Sequence, residues 1–445
     1  SVFTRVENMW VQEQKLLPDA DGSVRAGFGY SVAISGDTAV IGAVWADTEA
    51  VDAGSAYIFV RDGGSWVKQA KLTAPDGAYQ DGFGQAVSIS GDSIVVGSMT
   101  DDLGDKSGSV YIYVRDGEEW TLQAKLTAID GNYDDRFGSS VAIEGDVAVI
   151  GAFGADEYKG AVYVFERTEA EWAQEQKIML DDQMGVYFGK AVSVSASTIL
   201  VGMPHADSPY QSAGAAYVFV KDEDYWRQQA KLVSPYPNED KQFGYSVAIL
   251  GDTALIGEPG YIPYGVNAAR IYKRTDGYWL FQQSIVGSGT VSGDYYAQSV
   301  SLSNGTFLAG APYHDIWYDL AIGTVYAFTV PVTYVSIDIK PSRKTDVNEI
   351  DLAKEKSIKV AVLSDVVFDA CDIDSTTVQF GPDAASPIRY SVKGFDRDGD
   401  MDLLLTFKTK ETGIACGDTV AVLTGEMIDG TRIEGSDSFT VYPCP

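Results

Sequence analysis

Four aspartates in the segment GFDRDGDMDLLLTF could do chemistry together. Asp396, Asp398, Asp400 and Asp402 stand at alternate positions around Gly399. Carboxylate oxygens spaced by two, with a glycine to permit the sharp turn, are the pattern of a loop that wraps calcium. In the register DxDxDGxxD, Gly394 takes the first position, where an Asp is expected. Asp396, Asp398 and Asp402 then supply side chains, and Asp400 a backbone carbonyl. The plainer alternative is a solvated acidic turn. A second acidic set recurs along the chain, five residues after a repeated glycine: Asp47, Asp102, Asp156, Asp207 and Asp315, with Ile262 breaking the column. Such residues can gather a cation or a cationic ligand, or each can cap its own loop by accepting backbone N–H groups. Trp45, Tyr261 and Trp317 are irregular aromatics in the same stretches and are the ligand-contact candidates beside them.

Catalytic constellations are scarce. The two histidines, His205 and His314, lie close to Asp207 and Asp315, in neither a metal-binding HExxH nor a nucleophile GxSxG context. A triad could still assemble in space. Of the three cysteines, Cys371, Cys416 and Cys444, an exported domain would pair two, and Cys416 with Cys444 is the candidate disulfide.

Net charge sorts the partners. With 33 Lys and Arg against 63 Asp and Glu, the chain carries −30. That excludes nucleic-acid binding through a basic surface and argues against docking on anionic lipid. No apolar run reaches the roughly 18 residues of a membrane-spanning helix. The chain opens at Ser1 without a charged-then-apolar leader and reads as a mature or trimmed product.

The elements that must position these residues come from a repeat. Trp recurs at Trp10, Trp66, Trp120, Trp172, Trp226 and Trp279, in steps of 56, 54, 52, 54 and 53 residues. A Phe-Gly pair follows at Phe28, Phe83, Phe137, Phe188 and Phe243, with Tyr296-Ala297 in the sixth copy. Each copy holds four short β-branched and aromatic runs, such as WVKQAKL, QAVSIS, SIVVGS and GSVYIYVR, which is a strand-and-turn signature. Gly36-Asp37, Gly91-Asp92, Gly145-Asp146 and Gly251-Asp252 suit tight hairpins. Four antiparallel strands per copy predict an all-β, six-bladed β-propeller over residues 1–331, with seven blades as the alternative. The phase of the repeat predicts that the N-terminal strand from Trp10 to Leu16 completes the last blade and removes an open sheet edge. The long loops, from second to third strand and from outermost strand to the next innermost one, then share one acidic face. The Trp column and the Tyr-x-Phe pairs read as packing between blades.

Phe-Gly followed by Gly-Ala-Pro, complete at Gly310-Ala311-Pro312 and degenerate at Gly202-Met203-Pro204 and Gly257-Glu258-Pro259, resembles the FG-GAP repeats of integrin α-chain propellers and their bacterial relatives. The resemblance implies that the acidic loop face is the ligand-binding one. The integrin calcium loops lie between first and second strands, where this chain has only Gly-Asp, so those sites are expected to be absent.

Residues 332–445 change pattern. VSIDI, SIKVAVL, TVQFG, DLLLTF, TVAVLTG and SFTVY predict a small β-sandwich that carries the Asp396–Asp402 loop. The segment looks like the calcium-loop β-domains that follow FG-GAP arrays in exported bacterial proteins. Together these readings lead to a noncatalytic extracellular protein, secreted or held at the cell surface. Its propeller face would bind a protein or glycan partner in adhesion or surface assembly, with calcium supporting the structure. The alternatives are a propeller polysaccharide lyase or hydrolase using His205 or His314, and a self-associating subunit of an extracellular filament or matrix.

Overall fold

A computed structural model describes the chain apart from residues 7–8, 19–25, 102–106, 181–184, 208–209, 224, 261–266, 276, 292, 304, 315–322, 330–331, 341–347, 365–367, 395–400, 429–431 and 443–445. It divides into two compact units, Ser1–Phe328 and Thr329–Pro445. The first is the six-bladed propeller, with five blades of four antiparallel strands and a last blade of three among the described residues. In blade one the strands are Phe28–Ser35, Thr38–Ala43, Ser55–Asp62 and Ser65–Leu72, running outward in chain order. The Gly-Asp pairs turn the first hairpin of their blades with the glycine in the left-handed region, for example at φ +56° for Gly145.

Burial explains the strand types. The second strand of each early blade is covered on both faces, as in Thr38–Ala43 and Ser93–Ser98, which is why it reads as a continuous apolar run. The core lies between blades. Val95, Val110 and Ile112 of blade two pack with Phe137, Ile150, Tyr163 and Phe165 of blade three. The Phe of each Phe-Gly pair meets third-strand aromatics edge to face, with Phe137 at 5.3 Å from Tyr163 and 6.0 Å from Phe165. These aromatics are internal packing.

The Trp column ties blade to blade. Each outermost strand has a β-bulge, and in four of them the bulged residue is a glutamine: Gln69, Gln123, Gln229 and Gln282. Gln69, Gln123 and Gln229 accept the indole N–H of Trp120, Trp172 and Trp279 in the next blade, at 2.8 Å in every case. Replacing Gln123 by alanine leaves the half-buried Trp172 indole without that acceptor. The expected loss is about 1 kcal/mol, measured by urea denaturation.

The N-terminal strand does not close the last blade as its phase suggests. Met9–Gln14 pairs with Val2–Val6, and among the described residues the sheet Ser299–Ser303, Thr306–Ala311, Thr324–Thr329 has three strands. The reason is register. Val2–Val6 places Arg5 opposite Trp10, as Arg61 stands opposite Trp66 and Arg167 opposite Trp172. The hairpin also repeats the bulge, at Glu13. It is thus built like the outer two strands of a blade, and a local hairpin costs less loop-closure entropy than pairing with a strand some 300 residues away. Met9–Gln14 still sits beside blade one as other outermost strands sit beside their neighbours. Gln14 exchanges hydrogen bonds with the Trp66 backbone at 2.7 and 2.8 Å, as Gln176 does with Trp226.

The second unit has two four-stranded sheets. One orders Val332–Tyr334, Arg432–Ser438, Val420–Met427 and Ile373–Phe380; the other orders Ser336–Ile339, Ser357–Leu363, Leu403–Lys408 and Arg389–Val392. Ile358, Val360 and Leu405 of one sheet share a single core with Val378, Phe380 and Leu423 of the other, so the domain is a sandwich.

Candidate functional site

The two sets of long loops are stitched together. The residue before a third strand forms a parallel bridge to the Phe of the next blade's Phe-Gly pair, at Gly54–Phe83, Gly160–Phe188 and Gly214–Phe243. Around the first of these, the N–H groups of Gln80, Gly82 and Phe83 donate to the carbonyls of Val51, Asp52 and Ala53 at 2.9–3.2 Å. Asp240, Gln242 and Phe243 repeat the pattern on Gln211, Ser212 and Ala213 at 3.0–3.1 Å. Second-to-third loops and inter-blade loops therefore form one continuous, hydrogen-bonded surface. The glycines are required there, because they sit at positive φ with the next blade's backbone against them.

Within this surface the Asp column has a structural job at two places. Asp47 accepts the Asp52 N–H at 3.0 Å, and Asp207 accepts the Ser212 N–H at 2.9 Å, so each closes its own loop. Asp156 instead pairs with Lys159 at 2.8 Å on an exposed stretch. Trp45 is half exposed, with its ring 5.6 Å from Tyr30. Asp102, Asp315, Tyr261 and Trp317 lie outside the described residues.

A separate set of buried carboxylates precedes the inter-blade bridges. Asp81, Asp135 and Asp294 stand two residues before their Phe-Gly or Tyr-Ala pairs and are almost wholly buried. In blade two, Tyr111 donates to Asp101 at 2.6 Å or to Asp76 at 2.7 Å, and Lys125 pairs with the same two carboxylates at 3.0 and 2.8 Å. Blade three repeats this with Tyr163, Asp130 and Lys177. Burial pushes the Asp81 carboxyl up to about 6 against the opposing pull of the Ala78 N–H, and Asp101 adds to the rise. An unfolded Asp titrates near 3.9. The folded state thus holds this proton more tightly, and Asp81 costs stability progressively as pH rises from about 4 to about 6. Asp81→Asn keeps an oxygen for the Ala78 N–H and removes the penalty. Its melting temperature is expected to exceed the parent's at pH 7 and to match it at pH 4.

Both histidines are on this surface. His314 Nδ1 lies 2.7 Å from Asp294, and its Nε2 lies 3.4 Å from the Tyr326 hydroxyl. His205 is held below its usual titration range by burial and stacks edge-on to Tyr187 at 5.1 Å. Nearby, the Arg136 guanidinium faces Phe153 at 5.1 Å and the Lys190 ammonium faces the same ring at 4.6 Å. Neither cation stood out in the sequence, because each sits singly in a Phe-Gly flank.

Blade five departs most. Glu258 is fully buried, with Arg270 Nε donating to it at 2.7 Å, Ser234 Oγ at 2.9 Å, and Lys241 Nζ 3.7 Å away. Arg270 occupies the column of Tyr57, Tyr111, Tyr163, Tyr217 and Tyr326.

In the second unit, Asp396, Asp398 and Asp400 lie outside the described residues. Asp402 is buried at the start of its strand and accepts the Ser364 N–H at 3.0 Å. What is described fits a calcium loop at one point only: a buried carboxylate anchored at the loop's last position. Among the described residues no group of three or more His, Cys, Asp or Glu side chains is arranged to hold a metal ion. Cys416 is disulfide-bonded and Cys371 is free and exposed, while Cys444 lies outside the described residues. No helix among the described residues is long and apolar enough to cross a membrane.

Compared with known proteins, the chain matches a family model described as FG-GAP repeat, six times, over residues 10–59, 66–113, 120–165, 172–219, 226–270 and 279–328. These matches span every Trp-to-third-strand segment of the propeller. No curated protein matches the chain.

Proposed function

The chain belongs to the FG-GAP repeat family, and on that premise we propose that it is a noncatalytic extracellular binding protein of adhesion or surface assembly. A protein or glycan partner docks on the face built by the second-to-third and inter-blade loops. Calcium supports the structure through the Asp396–Asp402 loop. The observation that carries this reading is the parallel bridging of Gly54, Gly160 and Gly214 to the Phe of the next blade. It makes variable loops from neighbouring blades into one rigid surface, and variable loops on a rigid scaffold are where binding residues collect. A preordered surface also loses little entropy on binding. Among the described residues the opposite face carries two-residue hairpins such as Gly36-Asp37, Gly63-Gly64 and Glu169-Ala170, which offer little surface to recognise. The test is amide hydrogen exchange of the full chain against a panel of matrix proteins and glycans. Protection on residues 44–54, 73–85 and 155–160 supports the reading. Protection confined to the Gly-Asp hairpins contradicts it.

One observation favours a second reading. The Asp294–His314–Tyr326 contacts orient an imidazole as a general base is oriented, which would suit a lyase or hydrolase acting on a polysaccharide. His314→Ala separates the two. Loss of anionic polysaccharide breakdown would support the enzyme, whereas no breakdown by the parent protein leaves the binding reading in place.

A further inference from the structure

The residue after each Phe-Gly pair stands at the start of an innermost strand, on the loop face and beside the propeller axis. Along the chain it is Tyr30, Gln85, Ser139, Lys190 and Tyr245, so Lys190 is the one basic residue of the column. Its ammonium lies 4.6 Å from the Phe153 ring centroid and 5.9 Å from that of Tyr245. Among the described residues no carboxylate pairs with it. The acidic side chains of the neighbouring loops are engaged elsewhere. Asp134 bonds the Arg136 guanidinium at 2.8 Å and the Tyr158 hydroxyl, Asp156 pairs with Lys159, and Asp207 accepts the Ser212 N–H. Asp240 is exposed.

The charge that Lys190 does feel has its own sign. Burial, and then the Arg136 guanidinium, hold the Lys190 ammonium below its usual range. Arg136 approaches the same Phe153 ring at 5.1 Å. Its Nε and Nη2 edge faces Asp134, which leaves Nη1 for a ligand. The rings offset part of the cost of the ammonium by cation–π attraction, but they bring no negative charge.

Backbone strain marks the same place. The residue before the Phe-Gly or Tyr-Ala pair has positive φ in every blade, and blades one and two meet this with Gly27 and Gly82. Blade three instead has Arg136 at φ +57° and blade four Tyr187 at φ +71°. A side chain in that region costs about 1 kcal/mol that glycine avoids. Both of these side chains face the Lys190 cluster, with Tyr187 edge-on to Phe153 at 5.4 Å. Aromatic rings continue from there across the axis. Burial raises the titration of the Tyr30 hydroxyl and Tyr245 adds to the rise, so the two phenols are neighbours although they belong to blades one and five. Tyr30, 54% exposed, meets Trp45, 49% exposed, edge-on at 5.6 Å.

We propose that the loop-face mouth of the propeller axis binds an acidic glycan, with Lys190 and Arg136 taking the carboxylate of a uronic acid and Tyr245, Tyr30 and Trp45 meeting the sugar rings. A chain that carries −30 repels a densely sulfated or phosphorylated polymer more strongly than one with a single carboxylate on each sugar. Exposed ring faces suit pyranoses better than the backbone of an acidic peptide. The inference deepens the loop-face reading given above and rests on it.

The test is calorimetric titration of the full chain, in calcium, with trigalacturonate, its neutral counterpart galactotriose and a triglutamate peptide. Saturable trigalacturonate binding is expected, with galactotriose weaker by about 10-fold or more, the worth of one charge-assisted hydrogen bond. Lys190→Met keeps an apolar stem against Phe153, should melt close to the parent, and should lose about 10-fold or more in trigalacturonate affinity. Lys190→Arg should keep most of it. Arg136→Gly takes the residue type of blades one and two, relieves the backbone, and should also weaken binding. Unchanged affinity in folded Lys190→Met and Arg136→Gly variants would mean that calcium bridges the probe to acidic loops, and would overturn the proposal. So would no saturable trigalacturonate binding by the parent, equal binding of galactotriose, or tighter binding of triglutamate. The two readings fail separately: hydrogen-exchange protection of residues 44–54 and 73–85 that persists in Lys190→Met would keep the binding face while this subsite failed.

Discussion

Replacing Gly160 by alanine is expected to destabilise the propeller by about 3 kcal/mol or more. Gly160 has φ +92°, donates to the Ala155 carbonyl at 2.8 Å, and bridges to Phe188 of the next blade. A Cβ there would stand 2.0 Å from the Phe188 carbonyl oxygen and 2.7 Å from its nitrogen. Relief would require pulling the two blades' loops apart, which also breaks the Phe188 and Tyr187 backbone bonds to residues 158–159. Gly145→Ala is the control. It too has positive φ, +56°, but no atom lies within 4 Å of its Cβ position. Its cost should be only the left-handed conformational penalty, about 1 kcal/mol. Urea denaturation of both variants measures the difference, and equal effects would show that the inter-blade bridge contributes nothing.

Truncating Glu258 to alanine by itself should cost about 3–5 kcal/mol. The change strands the buried Arg270 and Lys241 without their carboxylate, and leaves Ser234 Oγ without its acceptor. The double variant Glu258→Ala, Arg270→Tyr removes the stranded guanidinium and should recover most of that loss. Non-additivity between the two sites, read from a double-mutant cycle, is the signature of a coupled buried pair. A Glu258→Ala variant as stable as the parent would mean that the cluster is not held together by its charge.

Much of the propeller was legible because it is periodic. The Trp, Phe-Gly and Gly-Asp columns recur in phase, and each maps to one place in a blade: outermost strand, inter-blade bridge and first hairpin. The sandwich was legible as a set of alternating runs, though Glu349–Asp351 and Arg389–Val392 were too short or too polar to be noticed. Closure was misread because phase says which strand type Trp10 belongs to, not which of two matching partners it takes. Val2–Val6 wins by proximity. The face was legible in its acidity but not in its division of labour. Asp47 and Asp207 look alike with other loop aspartates in sequence, and only the Asp52 and Ser212 N–H groups reveal them as caps. The blade-five cluster joins residues 241, 258 and 270 across a loop and two strands, and in sequence it showed only through the degenerate Gly257-Glu258-Pro259. Glu258 and Lys241 are ordinary charged residues until burial is known.

The most direct measurement of the central claim uses polygalacturonate as the probe, with the full chain and calcium. Hydrogen exchange and polymer length are followed in the same samples. The account predicts protection of residues 44–54, 73–85 and 236–241, with the polymer's length unchanged. Appearance of new chain ends, or protection restricted to the Gly-Asp hairpins around residues 36, 91 and 145, would contradict it.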